Sequence, residues 1–307
     1  MAVATIKIPG TLTNKVINVK IYTMKNKKVL VTGGEGFVGF SLCKALLRQG
    51  AVVTSLDVNL SGRSDRRTNG IEYITGNTNE IASILGDMSF DVIIHLGEYS
   101  RMENSFENIE MIVDSNVNGT IEVLEFWRKK RCKLIYAGSS TKFSNGLTAQ
   151  EMSPYSFTKN SNSELVKMYG NWFNLDYAIT YFYNVYGEKE NSDGRLASVV
   201  AIFLKRYKLK LPLQVVLPGT QRRNFTHVDD IVNGVILVAG NGQGDGYGIG
   251  SEDLYSVIQL AEMIGGSIEY IPKRRGNRNS SDLMISKIKD LGWKQEKYLS
   301  EYIKGNI

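Results

Sequence analysis

The sequence predicts an α/β fold, with a doubly wound parallel sheet in the first part of the chain and a smaller α/β lobe in the second. Three observations predict it. From Lys27 onward, short apolar runs bounded by polar turns alternate with amphipathic helical stretches. One such run, Val29-Leu30-Val31, leads into Thr32-Gly33-Gly34-Glu35-Gly36-Phe37-Val38-Gly39 and then into Leu42, Ala45 and Leu46 at helical spacing. The next run, Val52 to Leu56, ends at an acid, Asp57, 18 residues after Gly39.

The order strand, glycine turn, helix has a physical use. A tight turn leaves the strand, backbone approaches a pyrophosphate with no Cβ in the way, and the helix packs closely on the sheet. The helix N-terminus offers free N–H groups and partial positive charge to phosphates. Gly33, Gly36 and Gly39, with the Phe37 and Val38 backbone between them, are therefore expected to hold a dinucleotide in a Rossmann-type fold. Asp57 is placed to accept hydrogen bonds from the ribose hydroxyls of NAD. Arg63, Arg66 and Arg67 follow in a polar loop and raise the alternative of a 2′-phosphate, but Asp57 would repel that group. NAD is favoured, and these arginines are read as solvated loop residues.

Length and composition bound the rest. At 307 residues the chain buries a large core, and 42% hydrophobic with 22% charged residues is ordinary for a globular protein. The net charge of +6 is spread out apart from the KRRGNR stretch near residue 275. No base-reading motif accompanies it, so a phosphate-bearing small ligand is expected rather than nucleic acid. Cys43 and Cys132 have no metal-ligand spacing and read as reduced thiols of a cytoplasmic protein; no metal is expected. No apolar run reaches membrane-spanning length, and no signal peptide is visible.

Residues 1–24 read as an N-terminal extension with two short strands, 25–186 as the dinucleotide-binding domain, and 187–307 mainly as a substrate lobe with some segments returning to the first domain. Ile71 to Ile74 reads as a strand ending in Thr75-Gly76-Asn77, and Ile81 to Leu85 as a short helix. Asp91 to Leu96 is a strand running into a small-residue turn at Leu96 and Gly97, where backbone passes close to a ligand. A helix carrying Asn116, Leu124, Phe126 and Trp127 follows, then the strand Lys133 to Ala137. Leu196 to Tyr207, Ile231 to Ala239 and Leu254 to Ile264 read as helices, with Asp229 and Asp230 capping the second and His227 structural. Gly240 to Gly250 reads as a plain connection.

Two stretches carry chemistry. The strand at Ala137 ends in Gly138-Ser139-Ser140-Thr141, and in open α/β sheets reactions occur beyond the carboxyl ends of strands. Ser153-Pro154-Tyr155-Ser156-Phe157-Thr158-Lys159 begins a helix, with proline in its first turn. Tyr155 and Lys159 are four residues apart and share a face. A free phenol, with a pKa of about 10, is a poor base at neutral pH, and a neighbouring ammonium favours the phenolate. Tyr155 is thus expected to take a proton from a substrate hydroxyl while hydride leaves for NAD, with Ser139 bonding the same oxygen.

Together these residues resemble the extended short-chain dehydrogenase/reductase family, the nucleotide-sugar epimerase and dehydratase group. The likeness runs from residue 27 to about 295 through GGEGFVG, IIHLG, DSNVNGT, GSS, PYSFTK, YFYNVYG, RRNFTHVDDIV and SKIKDLGW. It implies Ser139, Tyr155 and Lys159 as the catalytic triad, Asn116 supporting the lysine, and Asn77 near adenine. It also implies Asn184, Arg223 and Arg274 near the nucleotide diphosphate, where arginine forks suit adjacent phosphates, and a homodimer through the helices around 105–130 and 155–172. Phe126, Trp127, Met168, Tyr169 and Trp172 are the residues considered for that interface.

The departures narrow the reaction. The acid and base of the 4,6-dehydratases are Ser140 and Thr141 here, residues that do not titrate usefully and are expected to contact the sugar instead. The family's HLAA turn is HLGEYSR, which brings Glu98, Ser100 and Arg101 to the expected sugar. Tyr181 replaces an arginine common before FN. Oxidation or reduction at C4 of a GDP- or UDP-linked sugar remains, as a 4-epimerase or as a 4-dehydrogenase similar to the GDP-heptose enzymes of bacterial capsule synthesis. A 4-keto-sugar reductase, an idle NAD-binding scaffold and an RNA-associated protein are the alternatives.

Overall fold

The computed structural model describes residues 2–6, 17–21, 23–59, 64–102, 105–145, 152–273 and 279–307. Seven strands form one parallel sheet in the order Gly244–Ile249, Tyr177–Phe182, Lys133–Ser139, Val92–His95, Lys28–Thr32, Val52–Asp57 and Ile71–Thr75. Lys28–Thr32 pairs with Val52–Asp57 on one side and Val92–His95 on the other. Connections leave this strand in opposite directions, which opens a crevice beyond the carboxyl ends of the strands.

Burial on both faces explains the continuous apolar runs. Val29 and Val31 pack into one core with Leu42 and Leu46 of the helix Phe37–Arg48 and Val235 of Val228–Asn241. Leu30 points the other way, into a second core with Ile81, Leu124, Trp127 and Val166. Phe126 and Trp127, considered above for a dimer interface, belong to this core, with 2% and 0% exposure. A third core holds the lobe together. Here the helices Val199–Lys208, Val257–Ile264 and Leu299–Lys304 enclose the parallel pair Leu213–Val216 and Ile268–Ile271.

Two expectations change. Gly240 to Gly250 is not a plain connection: Gly244–Ile249 is an edge strand of the main sheet. Gly248 and the following Gly250 have steric reasons, since a Cβ on Gly248 would lie 2.1 Å from the Met284 carbonyl oxygen and one on Gly250 2.7 Å from the Tyr183 ring. Asp230 does not cap the helix that contains it. His227 is the N-cap, accepting from Asp229 N–H at 3.2 Å, while Asp230 accepts from Glu296 and Lys297 N–H at 3.1 and 3.0 Å and pins the chain near its end. At the start, Ala2–Ile6 and Ile17–Ile21 form a separate antiparallel pair.

Candidate active site

The glycine turn lies where the sheet order reverses. Gly33 has φ of 71°, and its N–H donates to Leu56 O at 2.8 Å. A Cβ there would come 2.9 Å from Gly97 Cα, and one on Gly39 would come 2.0 Å from the Gly33 carbonyl oxygen. The two small-residue turns, at Gly33 and Gly97, thus touch, and no side chain larger than hydrogen fits between them. The helix Phe37–Arg48 begins after Gly36 with no side-chain cap and no acid in its first turn, which suits a phosphate. Asp57 accepts from Glu35 N–H at 2.9 Å and Asn59 N–H at 2.8 Å, and the carboxylate keeps acceptor capacity for a ribose hydroxyl. Burial raises its carboxyl above the usual range despite these bonds. A cradle a Cβ would fill, an uncapped helix start and a strand-end acid fit a dinucleotide.

The arginines after Asp57 are not all solvated. Arg66 is 1% exposed and donates to Glu35 O at 3.1 Å, Lys189 O at 2.5 Å and Asn191 Oδ1 at 2.9 Å. Arg67 forks onto the Glu35 carboxylate at 3.1 and 3.0 Å. Arg63 lies outside the described residues. Asn77 caps a short turn, its Oδ1 accepting from Asn79 N–H at 3.2 Å.

Ser139 ends its strand, and its Oγ accepts from Thr141 N–H at 3.3 Å. Tyr155 stands in the first turn of Pro154–Phe173, a helix capped by Ser153, whose Oγ accepts from Ser156 N–H at 3.2 Å. One turn on, Lys159 is buried and donates to Ala137 O at 2.6 Å and to the Glu98 carboxylate. Asn116 sits in a π-helical segment, Val113–Asn118, of the kind often found at functional sites. Its amide braces Tyr99, accepting from the N–H at 2.7 Å and donating to the carbonyl at 3.2 Å, and donates to Thr158 Oγ1 at 3.1 Å. Its own carbonyl accepts from Asn162 Nδ2 at 2.6 Å. Asn116 therefore works on the loop after Gly97 and on the lysine-bearing helix.

Glu98 is the centre of a buried network. Its side chain has 0% exposure and that of Lys159 6%. Besides Lys159, the carboxylate accepts from Thr120 Oγ1 at 2.7 Å, Asn162 Nδ2 at 2.7 Å and Tyr136 OH at 3.1 Å. Burial alone would raise the Glu98 carboxyl, but the Lys159 charge and these bonds hold it below its usual value. Tyr136, buried beside this carboxylate, stays protonated as a donor. Thr120 Oγ1 gives its one proton to Glu98, so at 3.1 Å from it His95 Nε2 must be the donor. His95 Nδ1 is then the acceptor for Thr32 Oγ1 at 2.7 Å, and Thr32 Oγ1 in turn accepts Gly97 N–H at 3.1 Å. This tautomer follows from the one proton each hydroxyl carries. Burial, with the Lys159 charge adding to it, lowers the His95 pKa to about 4, so the ring is neutral.

The residues expected at the sugar are distributed differently. Glu98 faces the lysine rather than open crevice. Arg101 does not pair with it but donates twice to Leu196 O, at 3.0 and 2.6 Å, across to the lobe. Ser100 is exposed and Ser140 is buried. Thr141 Oγ1 is buried and has no hydrogen-bond partner among the described residues. Asn184, at φ of 27°, spans to Asn224 O at 3.4 Å. Arg223 lies on the strand Arg222–Asn224 and reaches Asn279 O at 3.1 Å. Arg274 lies outside the described residues. Tyr181 has a clear role: its hydroxyl donates to Asp245 on the edge strand at 2.7 Å and accepts from Lys142 at 3.0 Å.

Sequence reasoning missed Thr120, Tyr136 and Asn162. The spacing held a signal. Thr120 is one turn after Asn116, Asn162 shares the face of Tyr155 and Lys159, and Tyr136 places a polar tip in an apolar strand.

With this geometry in view, the chain can be compared with known proteins. A sequence model of the NAD dependent epimerase/dehydratase family matches residues 29–250. A protein of Methanocaldococcus jannaschii provisionally named a UDP-glucose 4-epimerase is 31% identical, over 90% of this chain and 96% of its own. UDP-glucuronate 4-epimerase of Thermodesulfobacterium geofontis is 29% identical, over 91% and 94%. In fold, the chain is similar to the crystal structure of a UDP-glucose 4-epimerase from Thermotoga maritima with UDP-glucose. The TM-score is 0.85 at 24% identity, covering 91% of this chain and 97% of the other.

Proposed function

Because this chain belongs to the NAD-dependent epimerase/dehydratase family, we propose that it acts at C4 of a nucleotide-activated sugar as a 4-epimerase. The observation that carries the reading is the tie between the strand that ends at Ser139 and the helix that bears Tyr155 and Lys159: Lys159 donates to Ala137 O at 2.6 Å, two residues before Ser139. NAD, the cofactor of the family, supplies the hydride acceptor and donor when bound. Gly33, Gly36, Phe37, Val38 and Gly39 would hold its pyrophosphate, Asp57 its ribose hydroxyls, and Leu96 and Gly97 would line its path.

In this reading Tyr155 takes the proton from the C4 hydroxyl and later returns it, Ser139 bonds the same oxygen, and Lys159 favours the phenolate. Ser140 and Thr141 contact the sugar, and the orphaned Thr141 hydroxyl supports this. With no acid or base at these two positions, the residues for elimination of water are missing from the strand end. Asn184, Arg223 and Arg274 are proposed for the diphosphate. The relatives' names favour a UDP-sugar. A second reading, a 4-dehydrogenase releasing the keto sugar, rests on the resemblance of HLGEYSR, GSSTKF, YFYNVYG and PGTQRRNFTH to the GDP-heptose enzymes.

Incubation with UDP- and GDP-hexoses, followed by NMR of the products, separates the two: an epimer supports the first and a released 4-keto sugar the second. Tyr155→Phe is expected to lower turnover by at least about 10²–10⁴-fold while NAD stays bound. Wild-type rates in that variant would refute the chemistry.

We also propose a homodimer, since Ile109, Val113, Phe157, Met168 and Trp172 leave 42–62% of their surface exposed on the two helical segments flanking this face of the sheet.

A further inference from the structure

We propose that Glu98 is a positioning residue, the counter-ion that fixes the Lys159 ammonium and tempers its pull on the Tyr155 proton. The inference rests on the reading of Tyr155 as the base. It starts from geometry. A buried ammonium with only the Ala137 carbonyl as acceptor would leave most of its desolvation cost uncompensated. The Glu98 carboxylate supplies the balancing charge at contact distance, and both side chains are almost wholly out of water.

Glu98 cannot swing toward the crevice without stranding its other donors. Thr120 comes from the helix Gly119–Lys130, Tyr136 from the strand Lys133–Ser139, and Asn162 from the same helix as Lys159. Its backbone is fixed as well, the Glu98 N–H donating to Leu96 O at 2.9 Å. The titratable groups facing the pair are His95, Tyr136 and Tyr155. His95 is neutral, Tyr136 is a protonated donor to Glu98, and Tyr155 lies one turn before Lys159 on the same helix. Lys159 and Glu98 are therefore the only charges in this group when the phenol is protonated. At Tyr155 the Glu98 charge opposes the pull of the Lys159 charge.

The test uses the NAD-loaded protein labelled with [ζ-¹³C]tyrosine, the Tyr155 resonance being assigned by its loss in Tyr155→Phe. Titration gives the midpoint for Tyr155 without any substrate. In Glu98→Gln, which keeps shape and an acceptor for Lys159, the midpoint is expected to fall by on the order of one pH unit as the opposing charge is removed. Glu98→Asp, which keeps the charge, is expected to hold the wild-type midpoint. An unchanged or raised midpoint in a folded Glu98→Gln protein overturns the proposal, and so does an equal fall in Glu98→Asp, since packing rather than charge would then be responsible. If Glu98→Gln does not fold, Glu98→Ala is read in the same way. Sugar turnover is scored separately on the same samples: absent turnover in the wild type defeats the nucleotide-sugar reading and leaves the titration interpretable.

Discussion

Glu190 shows how one side chain can make the lobe sensitive to pH. Burial raises its pKa to about 7, against the opposing effects of the Ser198 hydrogen bond and the Arg101 charge. The folded chain therefore binds this proton more tightly than the unfolded chain. The resulting stabilisation is complete below the ordinary carboxyl value of about 4.5 and is lost as pH rises through about 7. Glu190→Gln keeps an acceptor for Ser198 and removes the titration. Relative to wild type, the variant is expected to gain on the order of 2 kcal/mol between about pH 5 and pH 8, read from urea unfolding at the two pH values. A constant difference would show that Glu190 titrates normally. Because Arg101 also bonds Leu196 O, this titration lies beside the link between the turn after His95 and the lobe.

Among the elements, the glycine turn is the most constrained. Gly39→Ala would drive a methyl into the Gly33 carbonyl and Gly34 Cα, both backbone atoms that cannot move aside cheaply. A loss of about 1–3 kcal/mol is expected, together with loss of co-purifying NAD, measured by thermal unfolding and by the cofactor content of gel-filtered protein. This element was readable in the sequence because its logic is local: strand, turn and helix are consecutive, and Asp57 follows at a fixed spacing. The strands Lys28–Thr32 and Ile71–Thr75 and the helix Ile81–Leu85 were readable for the same reason. The π-helical segment at Asn116 was not, since its widened register depends on Asn162 and Tyr99 from other elements. Nor was the position of Glu98. Its turn, HLGEYSR, suggested a residue facing the sugar, and only the partners converging from two helices and a strand reveal a buried ion pair. Strand Gly244–Ile249 was hidden because its glycines break strand periodicity, and one of them, Gly248, answers to Met284 and Tyr183.

Across the whole molecule, Arg66 binds the loop beyond Asp57 to Lys189 and Asn191 at the entrance to the lobe, so the edge of the sheet and the lobe share one buried guanidinium. The opposite helical face is where the proposed dimer would form. Trp172 and Phe157, each 62% exposed, lie on one long helix, and placing a charge among such side chains opposes association. Trp172→Glu is expected to sediment as a monomer with unchanged circular dichroism. A wild-type protein that is itself monomeric at micromolar concentration would remove the dimer. The outermost strand beside Tyr177–Phe182 carries a different implication. It is translated only after two elements of the lobe core, the helix Val199–Lys208 and the strand Leu213–Val216, and after the helix Val228–Asn241 that packs on the sheet. On the ribosome, the nascent sheet must therefore wait with a bare margin until residue 249 emerges, so the catalytic half acquires its last row of backbone bonds after most of its own sequence is already outside the exit tunnel.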